Sequence, residues 1–244
     1  MRARVLGLGL LLASPAGANE AQRYAMRHEV VVQVKDPNPF RFSRWTDQST
    51  IAVGFVDWER DGEVVRYVQT TCSLVTTEVF GTQITYPPAF VASLAGRERV
   101  GRVVDGGVHI GPYVDVVGAE PGDDLPTEPD QAIDTDGDGF PGVTIHVKQS
   151  IMGEGDAYAA QRSITRIHLS PEGSGYEGVV SSRTEMSVVD ATAFWLKSSR
   201  PVREHPDPNA STVELVPVDG SVDCAAVLSD APRLFSAPVD SSGH

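Results

Sequence analysis

Apolar and polar residues alternate with period two along much of this 244-residue chain, and helical spacing is hard to find beyond the first 18 residues. Such alternation suits strands that turn one face to a core. Residues 29–35 form a β-rich run closed by Asp36-Pro37-Asn38-Pro39. Ile51, Val53 and Phe55 alternate with Ala52 and Gly54. Beyond Trp58 a turn through Asp61-Gly62 leads into residues 64–75, Asp-Gly supplying the positive φ of a tight hairpin. A second hairpin is expected from residues 158–169, turning at 170–175 and returning through 176–189, with Val180, Ser182, Thr184, Met186 and Val188 on one face. Residues 143–147 read as β-like, and residues 212–218 and a last short run at 225–228 complete the expected strands. The proline-bearing stretches 86–90 and 203–210 read as loops. About eight or nine strands joined by turns, with no βαβ spacing, predict an all-β antiparallel fold. An up-and-down β-barrel comes first, because closure removes exposed edges, and a β-sandwich second.

The amino terminus has the form of a secretory signal. Residues 1–18 carry Arg2 and Arg4, then an apolar run from Val5 to Ala13, then Ala16-Gly17-Ala18, a small-x-small cleavage pattern. The run is far shorter than the roughly 20 residues a spanning helix requires. The expected mature chain starts at Asn19 and forms one all-β domain over residues 19–244, in the periplasm or outside the cell. Export gives Cys72 and Cys224, the only two cysteines, an oxidising compartment in which to pair. A bridge between them closes a loop over most of the chain, for which the chain-entropy model assigns about 4–5 kcal/mol.

Charge is concentrated. The chain carries −13, and removal of a leader with two arginines and no acids leaves −15, which disfavours nucleic acid as a partner. Between Arg102 and Lys148 there is no Lys or Arg, while ten acidic residues fall there, so an acidic insertion is expected at about residues 115–142. Within it, residues 134–145 read Asp-Thr-Asp-Gly-Asp-Gly-Phe-Pro-Gly-Val-Thr-Ile. Asp134, Asp136 and Asp138 occupy loop positions 1, 3 and 5, Gly139 provides a sharp turn at position 6, and the carbonyl of Phe140 stands at position 7. Hard carboxylate and carbonyl oxygens at flexible geometry suit Ca2+ better than Mg2+, which demands tighter octahedral coordination. Position 12 is Ile145 and not an acid, so a further carboxylate is expected from the preceding segment: Asp130, Glu128 or Asp124.

The stretch resembles the DxDxDG calcium loops of EF-hands, dockerins and thrombospondin type 3 repeats, over these few residues alone and without the helices of an EF-hand. With its leader and strand-rich body, the chain also resembles uncharacterised exported bacterial proteins carrying a DGDGxPGVT segment. That likeness implies no activity.

No nucleophile elbow, His-Glu-x-x-His helix or phosphate-cradling glycine loop is present. The histidines are scattered with no ligand pair at metal spacing; a facing pair of His146 and His168 across adjacent strands is open to them, but solvated positions on the polar face of a sheet are the preferred reading. Trp45, Trp58, Trp195, Phe55, Phe90, Phe194 and Tyr67 are candidates for a core or a cavity wall. The function expected is a non-catalytic binding or envelope-associated module stabilised by calcium. The alternatives are a lipocalin-like carrier of a small apolar ligand and a secreted metal-dependent hydrolase. A packed interior favours the module, an empty apolar cavity the carrier.

Overall fold

The computed structural model describes residues 20–36, 44–122, 124–197 and 200–235; the leader read at residues 1–18 lies outside them. The strands are β1 (Glu20–Lys35), β2 (Trp45–Asp61), β3 (Val64–Thr76), β4 (Thr82–Thr85), β5 (Arg97–Val104), β6 (Gly107–Val117), β7 (Val143–Gln149), β8 (Gly153–Glu172), β9 (Gly175–Ala191), β10 (Val202–Glu204) and β11 (Thr212–Val218). A short helix α1 (Pro88–Ser93) follows β4, and α2 (Cys224–Leu234) follows β11. All eleven strands join one antiparallel sheet. Eight of them, β1-β2-β3-β5-β6-β8-β9-β11, close into a ring when β11 pairs with β1. The ring is not an even barrel, since β4, β7 and β10 attach at one end: β4 between β3 and β7, β7 on β8, β10 on β1.

Both expected hairpins form, as β2–β3 and β8–β9, and residues 212–218 are a strand as read. Residues 225–228 are helix and not strand. Asp223 caps the first turn by accepting from the Ala226 amide at 2.9 Å, and Val227 and Ala231, four apart, bury one face of α2. Residues 86–90 likewise run into α1, which Pro88 opens at a position where its missing N–H costs nothing. His168 pairs with His109 and not with His146: their rings lie 4.3 Å apart across β6–β8, whereas His146 hydrogen-bonds Asp156 across β7–β8.

The inward face changes character along the ring. At one end Tyr24, Met26, Trp58, Tyr67, Ile110, Ile167 and Leu215 pack into a solid core, with Trp58 stacked on Tyr176 at 5.1 Å. Tyr67, fully buried, donates its hydroxyl to Met26 Sδ, and burial pushes its pKa up. Next along the same face comes a polar belt. Alternation in β5 and β6 turns Arg97, Arg99 and Asp115 inward alongside Val103 and Tyr113, and both arginines pair with Asp115. Arg99 also lies over the Tyr113 ring at 4.3 Å. Thr165 meets Ser182, and Ser163 meets Thr184. Asp115 therefore belongs to the belt and not to the acidic loop. His28 Nε2 is buried here without a hydrogen-bond partner, and burial lowers the pKa of the imidazole to about 4, against the opposing pull of Asp115.

A β-bulge at Val53/Gly54 decides where the disulfide goes. Gly54 faces Thr71 and Val53 faces Ser73, so Cys72 is the residue left without a partner. Gly54 is required there, because a Cβ would stand 2.0 Å from the Thr70 carbonyl oxygen. Cys72 bonds Cys224 at the start of α2, with Cα atoms 5.2 Å apart and 152 residues of separation. The bridge fastens α2 over the outer face of the ring, where Val227, Ala231 and Phe235 cover Ala25 and Val53. It accords with an oxidising, exported compartment. No helix among the described residues is long and apolar enough to cross a membrane.

Two outcomes are expected. Replacing Cys72 and Cys224 together by Ala lowers urea-unfolding stability by about 2–5 kcal/mol, and a reductant brings the wild type to the same value without moving the variant; a variant as stable as oxidised wild type contradicts the role given to the bridge. Because the folded pKa of His28 lies below its unfolded value, its contribution is complete above about pH 6.5 and is lost as pH falls through about 4. It amounts to roughly 3 kcal/mol at most, and His28→Leu flattens the acid limb of a stability-versus-pH curve; an unchanged slope between those limits contradicts it.

Candidate functional site

Two features stand out: the acidic loop between β6 and β7 and the interior of the open end of the ring. The loop leaves at Gly118 and returns at Gly142, and hydrogen bonds close its neck. Ile133 N–H donates to the Gly118 carbonyl at 3.1 Å, Thr135 N–H to the Gly142 carbonyl at 3.1 Å, and Gly118 N–H to Thr135 Oγ1 at 2.8 Å. The Phe140 ring lies flat on Tyr158 of β8, with centroids 4.7 Å apart and 9° between planes, and fixes the loop against the sheet.

Inside the loop, Asp134, Asp136 and Asp138 each bring a carboxylate oxygen within 4.8 Å of the other two, a group that can hold a metal ion. Asp134 accepts from the amides of Gly137 at 2.7 Å and Gly139 at 2.9 Å; these bonds, Gly139 first, hold its pKa below the usual carboxylate range. Gly139 takes the positive φ, 89°, that the tight turn requires. Asp138 accepts from the Phe140 amide at 2.9 Å and from the Thr144 hydroxyl. Asp136 accepts from the Thr144 amide at 3.0 Å through Oδ2, while Oδ1 is buried with no partner. Burial, ahead of the neighbouring charge of Asp138, raises the Asp136 pKa. A buried carboxylate oxygen without a donor, facing two further carboxylates, is unfavourable on its own and fits a cation. Asp130 lies on the exposed 3-10 turn Pro129–Gln131, outside this group of three.

The second feature was not legible as a site. Beyond the polar belt the ring interior opens into a cavity of about 570 Å³. Val34 of β1, Ile84 of β4, Ile145 and Val147 of β7, Ala157 and Ala159 of β8, and Met186 and Val188 of β9 line it. The cavity exists because the ring is uneven here. Among the described residues β11 pairs with β9 no further than Val179 and no other strand pairs with the second half of β9 on that side, while the 3-10 turn Phe194–Leu196 brings Trp195 and Leu196 to the cavity wall. Alanines at 157 and 159 leave room where larger side chains would fill the space. Of the aromatics weighed from the sequence, Trp195 lines the cavity, Trp58 and Tyr67 are core, and Phe90 is the buried residue of α1, packed with Val117 and Val143. Large apolar side chains lie exposed beside wall residues in the chain: Ile151, 86% accessible, precedes Met152, and Phe194, 80% accessible, precedes Trp195. None of the three loop aspartates lines this cavity.

Searches of protein-family models, of curated proteins and of solved structures find no match to this chain. What stands is a β-rich, disulfide-bonded chain with an acidic group able to hold a metal and an apolar cavity apart from it.

The raised pKa of Asp136 has a definite sign. Ionising it costs the folded state, so the penalty is absent below about pH 3.8, grows as pH rises through the raised value, and is complete at neutrality. In chelator-treated protein at pH 7, Asp136→Asn is therefore expected to raise the melting temperature, the new amide donating to Asp134. A variant less stable than wild type under those conditions contradicts this account of the loop.

Proposed function

We propose that the chain is an exported, non-catalytic carrier of a small apolar ligand, held in the open end of the ring and stabilised by calcium in the acidic loop. The cavity carries this reading. Its volume of about 570 Å³ falls within the roughly 300–1,000 Å³ of small-molecule sites, and its wall is mostly aliphatic and aromatic. Exposed Ile151 and Phe194, each next in sequence to a residue of the wall, suit a ligand that arrives from an apolar phase. The packed core and polar belt at the other end hold the frame that the pocket needs.

In this reading Ca2+ is structural. Asp134, Asp136 and Asp138 supply carboxylates and the Phe140 carbonyl a further oxygen, while Asp130 stands outside that group. Their separation from the cavity supports a stabilising part over a catalytic one, which sets the hydrolase alternative behind the carrier. Millimolar calcium is expected to raise the wild-type melting temperature by mass action, and Asp136→Ala or Asp138→Ala to abolish the response; a wild-type curve indifferent to calcium removes the ion from the account. For the carrier itself, Val188→Trp should fill the cavity and weaken binding of the uncharged fluorophore N-phenylnaphthylamine by roughly tenfold or more while the protein stays folded. Undiminished binding by a folded Val188→Trp protein contradicts the reading.

A further inference from the structure

The cavity wall is mostly apolar, and the polar side chains that also line it include the half-buried guanidinium of Arg200. Arg200 lines the cavity beside Lys35, Asp36, Pro201 and Val202, where the Lys35 amide meets the Pro201 carbonyl at 3.1 Å. β1 runs from the packed core toward Lys35, so this group sits at the end of the cavity away from that core. The lining residue of β8 nearest the core, Gln161, marks the floor. Arg200 is half-buried and makes no hydrogen bond or ion pair with any described residue; Asp36 is the carboxylate whose field it feels, beyond ion-pair distance. Burial lowers the guanidinium pKa, the mark of a cation deprived of water without a close anion in exchange.

We propose that the ligand is a single-chain amphiphile with an anionic head, its hydrocarbon tail in the cavity and its carboxylate or phosphate on Arg200. This rests on the carrier reading above. A planar guanidinium offers paired donors to a carboxylate or phosphate, and removing that anion from water is repaid only by such a partner. The tail needs no polar partner, and the wall offers it Val34, Ile84, Ile145, Val147 and Val188. A ligand with an uncharged head would leave Arg200 desolvated and unpaired, which is how the site would discriminate.

The test compares dodecanoate, dodecyl phosphate and dodecanol, each displacing N-phenylnaphthylamine from the full exported chain. The two anions are expected to bind about tenfold or more tightly than the alcohol at low salt, with the margin shrinking as salt is raised. Whichever anion gains more names the head group. Arg200→Gln should lower binding of both anions to the level of the alcohol, and Arg200→Lys should keep part of the margin. Equal binding of anions and alcohol by a wild-type protein that does bind the fluorophore overturns this inference and leaves the carrier reading standing. A wild-type protein that fails to bind the fluorophore overturns both.

Discussion

Closure of the ring through β1 and β11 is the constraint on which the rest depends. It joins residues 23–29 to residues 212–218, almost the full length of the described chain, and with β2 on its other side it gives every ladder group of the middle of β1 a partner. Once the ring is closed, period-two alternation sends one set of side chains inward and the other outward. The outward set at β1, β2 and β11 then needs cover, which α2 supplies, and the disulfide holds that cover in place.

Within the closed ring the inward residues divide the molecule into levels with different energetics. The aromatic and aliphatic level is packed solid and carries the hydrophobic stabilisation. The belt of Arg97, Arg99, Asp115 and the paired hydroxyls is a set of charges and dipoles that satisfy one another largely within the ring, with His28 kept neutral by burial. Above the belt the ring loses its β9–β11 pairing, and β4, β7 and β10 widen the wall. Space opens where the pairing stops, and the acidic loop docks on the outside of the same strands through Phe140 and Tyr158.

The strands most legible in the sequence were those whose inward face is uniformly apolar or hydroxylic. The β2–β3 hairpin announced itself by Asp61-Gly62, and the face of β9 through Val180, Met186 and Val188 was read as it stands, Met186 and Val188 now lining the cavity. β5 escaped because its inward face begins Arg97, Arg99, so the belt hides the alternation under charge. The same belt put Asp115 into the acidic segment on a count of charges, although it pairs with arginines inside the ring. α2 was misread from four residues, when the Asp223 cap and the spacing of Val227 and Ala231 carry the helical signal. The aspartate triad was legible because its chemistry is local. The cavity was not, since it arises from small side chains at Ala157 and Ala159 meeting an interrupted ladder, and neither spacing nor composition records that meeting.

The central claim is that an apolar molecule occupies one end of the ring and leaves the other untouched. Methyl and indole NMR spectra recorded while an uncharged apolar compound is titrated into the protein test it most directly. The account predicts shifts concentrated at Ile84, Ile145, Val147, Val188 and Trp195, with Ile110, Ile167 and Trp58 unmoved. Shifts centred on Trp58 and Ile167, or none at saturating compound, would contradict it.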